Sequence, residues 1–279
     1  MLQQIQETNR FLTQKKITTP LVGIVLGSGL GNLANEIEVE HQFSYNEIPN
    51  FPTSTVEGHS GKLIFGKINQ VPVVAMQGRF HYYEGYSTQS CTFPLRVLKN
   101  LGIQYLVLSN ASGGVNENFE IGDIMLITDH INMIPDNPLR GKNIDELGPR
   151  FPDMSEPYSH KLNEKILSIA QAHNIQLQQG VYVSLSGPTY ETPSEYNYVK
   201  IIGGDAVGMS TVPEVIVANH MGIPCVALSI ITDLGVQGKI VEINHQEVQD
   251  VASVAEPKMT LIIKELLSAL IVTKSTANC

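Results

Sequence analysis

LVGIVLGSGLGN, Leu21 to Asn32, joins a short apolar, β-branched run to a glycine-rich turn. The first half reads as a buried strand, and GSGLGN turns it into a helix. A strand that passes through such a turn into a helix is the unit of an α/β fold. The turn's backbone N–H groups, with Ser28 among them, can face an anion at the helix start. Three better-known patterns do not fit. Asn32 stands where a dinucleotide fingerprint needs its third glycine, no Gly-Lys-Ser/Thr follows, and Leu26 precedes Ser28 where a nucleophile elbow needs glycine. The plain alternative is a tight turn that uses glycine for its φ angles.

Outward from this stretch, strands are expected at 62–66, 71–77, 104–109, 123–128, 180–185, 205–208 and 224–231. Helices are expected at 3–16, 88–101, 156–173, 193–202, 213–221 and 245–270. Thr192 with Glu195 and Thr211 with Glu214 have capping-box spacing, and Asn244 with Glu247 is a looser version. The alternation predicts an α/β fold around a largely parallel sheet. It is read as one domain over 1–279, with a core at about 20–270 and a flexible tail at 271–279. The long proline-rich stretch 130–155 is expected to be irregular and to serve function or an interface.

The 279 residues are 42% hydrophobic and 16% charged, which suits a globular chain with a sizeable core. The formal net charge of −9 disfavours nucleic acid or an anionic membrane as partner. Cys91, Cys225 and Cys279 lack metal-ligand spacing and read as reduced thiols. The N-terminus is polar without a signal-peptide core, and no apolar run reaches membrane-spanning length, so a cytoplasmic protein is expected.

Candidate chemistry concentrates after strands. In QGRFHYYEGY (77–86), continued extended geometry would point Arg79, His81 and Tyr83 to one side, offering an anion grip beside a polyhydroxylated ligand. Glu84 can orient either partner. NASGG (110–114), with Ala111, lets a backbone approach a ligand closely at a strand's carboxyl end. GPTYET (187–192) offers Tyr190 as a stacking face and Glu191 as an acceptor, although Glu191 can equally stabilise the following helix. GMST (208–211) brings Met209, Ser210 and N–H groups to another helix start. Asp233 ends a strand, His245 begins the last helix, and His59 sits in a loop; each alone is weak. The set contains no metal-ligand spacing and no hydrolase triad order. Phosphate needs no protein nucleophile to activate it, so an enzyme that uses phosphate as the attacking group would need such loops to hold it in line.

GSGLG, EGHSGKLIFG, QGRFHYYEGY, NASGG, GPTYETPSE, DAVGMSTVPE and NHQEV occur in the order of their counterparts in trimeric purine nucleoside phosphorylases, which the chain resembles from about residue 20 to 270. The resemblance implies a mixed, partly barrel-like sheet flanked by helices, a homotrimer, and no cofactor beyond inorganic phosphate as co-substrate. It implies conversion of a purine nucleoside and phosphate to free purine and α-pentose 1-phosphate, with inversion at C1′. Phosphate would meet Ser28, Arg79, His81, the N–H of Ala111, and Ser210, with His59 a mobile partner and Glu84 orienting the phosphate side. The pentose would touch Tyr83, Met209 and His245. Tyr190 and Glu191 would take the base, and Phe151 would reach into a neighbouring subunit's site.

At one position the chain departs from the family. The 6-oxopurine enzymes usually carry asparagine where this chain has Asp233. Asparagine can donate to purine O6 and N7, whereas an ionised aspartate only accepts. A 6-amino group would suit an ionised Asp233, and a protonated one can donate to N7. Glu191 matches the N1–H of hypoxanthine and guanine. The intact GPTYETPSE block favours inosine and guanosine. A 6-aminopurine phosphorylase is the alternative, although Gly235 replaces the second aspartate of methylthioadenosine phosphorylases. A non-catalytic nucleoside-binding protein on the same scaffold is a further reading.

Overall fold

A computed structural model describes residues 1–27, 31–53 and 61–276, without the side chains of 272–276. Among them run nine strands: β1 Val22–Leu26, β2 Glu38–Ser44, β3 Lys62–Ile68, β4 Val71–Gln77, β5 Tyr105–Gly114, β6 Ile124–Asn132, β7 Leu177–Ser184, β8 Ala206–Gly208 and β9 Cys225–Leu234. The helices are α1 Leu2–Thr13, α2 Thr88–Leu101, α3 His160–Ala172, α4 Pro193–Ile201, α5 Val212–His220 and α6 His245–Thr276. The sheet order is β2-β3-β4-β1-β5-β8-β7-β6-β9, and β9 also pairs with β5. That last pairing closes β5, β8, β7, β6 and β9 into a barrel and leaves β1, β4, β3 and β2 as an outer arm.

The expected largely parallel sheet is a mixed one, as the resemblance implied. β1 runs parallel to β4 and β5, and β5 parallel to β9, but β3 and β4 form an antiparallel hairpin. Asn69 and Gln70 make that turn with φ of 48° and 65°, the positive angles that match strand twist in a two-residue loop. β1 has a strand on each side and is buried at every residue. A run covered on both faces carries apolar residues without alternation, which is why VGIVL was legible as a strand. One side of the sheet packs Leu12, Leu98 and Val215 from α1, α2 and α5, and the other packs Ile166, Ile262 and Leu266 from α3 and α6.

Three local expectations change. The helix after the glycine turn is a 3₁₀ segment, Gly31–Glu36. Its open N–H groups are taken by Glu256 of α6, which accepts from Asn32 N at 2.7 Å, Asn32 Nδ2 at 2.7 Å and Leu33 N at 3.2 Å. Thr192–Glu195 and Asn244–Glu247 do cap reciprocally, but Thr211 makes no side-chain cap. It adopts φ 69° instead, because its hydroxyl is held inside the protein by Asn110. The last helix continues through 271–276, where a tail was expected, since Leu266, Leu267 and Leu270 keep its apolar face on the sheet.

Candidate active site

The strand ends of the barrel and the arm open into one cavity with an empty volume of about 660 Å³. β5 contributes Asn110 to Gly113, the β8–α5 turn Met209 and Ser210, and β9 Thr232 and Asp233. Arg79, His81 and Tyr83 follow β4, Tyr190 and Glu191 precede α4, and His245 opens α6. These loops are distant along the chain and meet because strands deliver their carboxyl ends to one edge.

At one end the cavity is built for an anion. Arg79 is 1% exposed. Its Nη1 donates to Ser109 O at 2.7 Å and to Ser210 Oγ at 3.3 Å, and its Nε pairs with Glu214 of α5 at 3.2 Å. A guanidinium out of water needs such a counter-charge, which Glu214 supplies from the first turn of a helix. Glu214 was expected in a capping box; its burial beside Arg79 assigns it elsewhere. The expected extended run through 79–83 is also corrected. β4 ends at Gln77, Gly78 has φ 108°, and Tyr82–Glu84 form a 3₁₀ turn. That turn lets Glu84 Oε1 accept from His81 N at 2.8 Å and meet His81 Nδ1 at 3.0 Å. Tyr83 stacks on the imidazole with ring centroids 4.6 Å apart. Burial lowers the His81 pKa, outweighing the Glu84 carboxylate. The three side chains share the cavity although the backbone reason differs.

The other end gathers an aromatic face and two carboxyl groups, a set that can take a hydrogen-bonding ring. Tyr190 is partly exposed and Glu191 half-buried beside it. Because Glu195 serves the α4 cap, Glu191 is released to the cavity, and burial pushes its carboxyl up to about 7. Asp233 is buried, and burial raises it as well. Its Oδ1 accepts from Thr232 Oγ1 and its Oδ2 from Tyr196 Oη, each at 3.1 Å. Tyr196 was not singled out from sequence: an aromatic in a helix reads as core, and only the fold brings its hydroxyl to Asp233. Asn110 was read only as part of the NASGG loop and Glu214 only as a helix cap.

Of the remaining candidates, Met209, Ala111 and His245 line the cavity. Phe151 does not; it is 87% exposed, with the Arg150 guanidinium 5.7 Å from its ring centre. Ser28 and His59 lie outside the described residues, as does Cys279. Cys91 and Cys225 are buried free thiols, each pushed up to about 12 by burial. Among the described residues no group of His, Cys, Asp and Glu is gathered as metal ligands, and no helix is long and apolar enough to cross a membrane.

Comparison with known proteins gives a consistent placement. The Phosphorylase superfamily profile matches residues 21–268. The chain is 48% identical to purine nucleoside phosphorylase 1 of Geobacillus stearothermophilus, over 94% of this chain and 96% of that one. It is 46% identical to the mouse purine nucleoside phosphorylase, over 95% and 94%. Isoform 2 of the Schistosoma mansoni enzyme, solved with cytosine and ribose-1-phosphate, superposes with a TM-score of 0.90 at 42% identity, covering 95% of each chain. With this sequence likeness along nearly the whole chain, the protein belongs to the phosphorylase superfamily, in the family of the purine nucleoside phosphorylases.

Proposed function

We propose that this enzyme of purine nucleoside phosphorolysis works on inosine, guanosine and their deoxy analogues, releasing the free base and α-(deoxy)ribose 1-phosphate. The observation that carries the reading is a single cavity with buried Arg79 beside Ser210 at one end and Glu191 with Asp233 at the other. Phosphate is assigned to Arg79, His81, Ser210 and the Ala111 N–H, with Ser28 and His59 completing the set. The pentose is assigned to Tyr83, Met209 and His245, and the base to Tyr190, Glu191 and Asp233. Phosphate oxygen attacks C1′ from the face opposite the purine, the C1′–N9 bond breaks, and its electron pair enters the ring. Holding the two reactants in line supplies the orientation that a bimolecular encounter lacks. Glu191 accepts the purine N1–H, and Glu84 keeps the His81 ring in place beside the phosphate. The enzyme is proposed to act as a homotrimer in the cytoplasm, with Phe151 contributed across the subunit boundary and with no metal or organic cofactor.

Release of hypoxanthine from inosine tests this directly. Turnover is expected only with phosphate present, with ribose 1-phosphate formed in equal amount. Release without phosphate would make the protein a hydrolase, and binding without release would make it a nucleoside-binding protein.

A further inference from the structure

Asp233 is the position where this chain departs from its family, and the structure shows what surrounds it. Its Oδ2 accepts from the Tyr196 hydroxyl at 3.1 Å, and its Oδ1 lies 3.1 Å from the Thr232 hydroxyl, whose one proton also has Ser112 O within reach at 3.3 Å. Tyr196 is 4% exposed, and its ring lies so close to Gly235 that a Cβ there would stand 2.2 Å from it. The missing side chain at 235 is thus the space into which Tyr196 fits. The Tyr196 hydroxyl also interacts with the Glu191 carboxyl. It has one proton, so it cannot donate to both carboxylates at once. The geometry gives that proton to Asp233, at 3.1 Å.

We infer that Tyr196 is a positioning and specificity-determining residue: by donating to Asp233 it holds that carboxylate as an acceptor, so that the base end admits a 6-amino purine besides the 6-oxo purines matched to Glu191. The inference rests on the phosphorolysis reading above. The Tyr196 proton, with the Thr232 hydroxyl beside it, favours the charged form of the Asp233 carboxyl and opposes the burial that raises it. A charged acceptor repels purine O6 and attracts an exocyclic N–H. Tyr196 acts on the purine end through Asp233 first, with Glu191 the other carboxyl its hydroxyl meets.

The test is steady-state phosphorolysis of adenosine and inosine, read on one preparation each of the unaltered enzyme, Tyr196→Phe, Asp233→Asn and the double variant. The quantity is the adenosine-to-inosine ratio of kcat/KM, which does not depend on the folded fraction. The unaltered enzyme is expected to turn over both nucleosides. Tyr196→Phe is expected to lower the ratio about tenfold, the scale of one hydrogen bond to a charged group, and Asp233→Asn to lower it at least as far. In the Asp233→Asn background, removing the Tyr196 hydroxyl should change the ratio no further. A Tyr196→Phe enzyme that slows on both nucleosides alike would reduce Tyr196 to a structural residue and overturn the inference. Adenosine left inert by the unaltered enzyme while inosine reacts would also overturn it. Absence of phosphate-dependent turnover with either nucleoside would instead sink the underlying reading.

Discussion

Glu191 shows how placement sets chemistry at the scale of one residue. A carboxyl ordinarily near 4.5 is raised to about 7 by burial, with Asp233 and Glu195 adding to the shift. Since its folded value exceeds its unfolded one, the stability it contributes is full below the unfolded value and is lost as pH rises through about 7. Substrate recognition runs the opposite way, because the ionised form is the better acceptor for N1–H. We therefore expect kcat/KM for inosine to climb as pH rises through about 7, on a limb that Glu191→Gln removes. The same substitution should lower the plateau by a factor of about 10 to 100, the worth of a hydrogen bond to a charge. A pH–rate series on both forms checks this, and a limb that survives in Glu191→Gln would belong to another group. The place of Glu191 on the cavity was legible in its block of sequence, whereas that of its neighbour Tyr196 was not. No local pattern says that an α4 tyrosine and a strand-end aspartate will meet.

At the scale of elements, α5 and the turn after β4 are locked together by a salt bridge whose side chains are 2% and 9% exposed. Removing one charge strands the other in a dry place, at a cost of about 3–5 kcal/mol. Glu214→Gln is expected to lower the melting temperature and to raise the KM for phosphate at least tenfold, with a smaller change for nucleoside. A thermal melt and initial rates at varied phosphate decide it; an unchanged phosphate KM would show that Arg79 holds its place without Glu214. Which elements were readable follows from the same balance of forces. β4 and α2 match their expected limits, 71–77 and 88–101, because an apolar run and a serine-capped helix leave little choice. β2, Glu38–Ser44, was not expected at all. It is an outer strand with β3 alone beside it, mostly polar and largely exposed, and such edges carry neither alternation nor an apolar run. Arg79, His81 and Tyr83 share the cavity without the extended geometry expected of them; a short turn can also gather alternate residues.

For the whole molecule, Phe151 is 87% exposed, the most of the large apolar side chains among the described residues. If the proposed trimer forms, sedimentation should give a mass near three times 30.6 kDa. Phe151→Ala should then raise the KM for nucleoside while leaving the melting temperature of the fold nearly unchanged. A species of single-chain mass with full activity would remove the neighbour from the mechanism. The barrel has its own consequence for how the molecule comes into being. Its closure sets Leu106 beside Cys225 and Gly114 beside Leu234, partners about 120 residues apart, and contacts of such long range form slowly. During synthesis, β5 is complete long before the strand that will cover it exists. A growing chain therefore presents a bare apolar edge while residues 115–224 are being made, so fragments ending before Cys225 should collect as aggregates rather than as partial binders of either reactant.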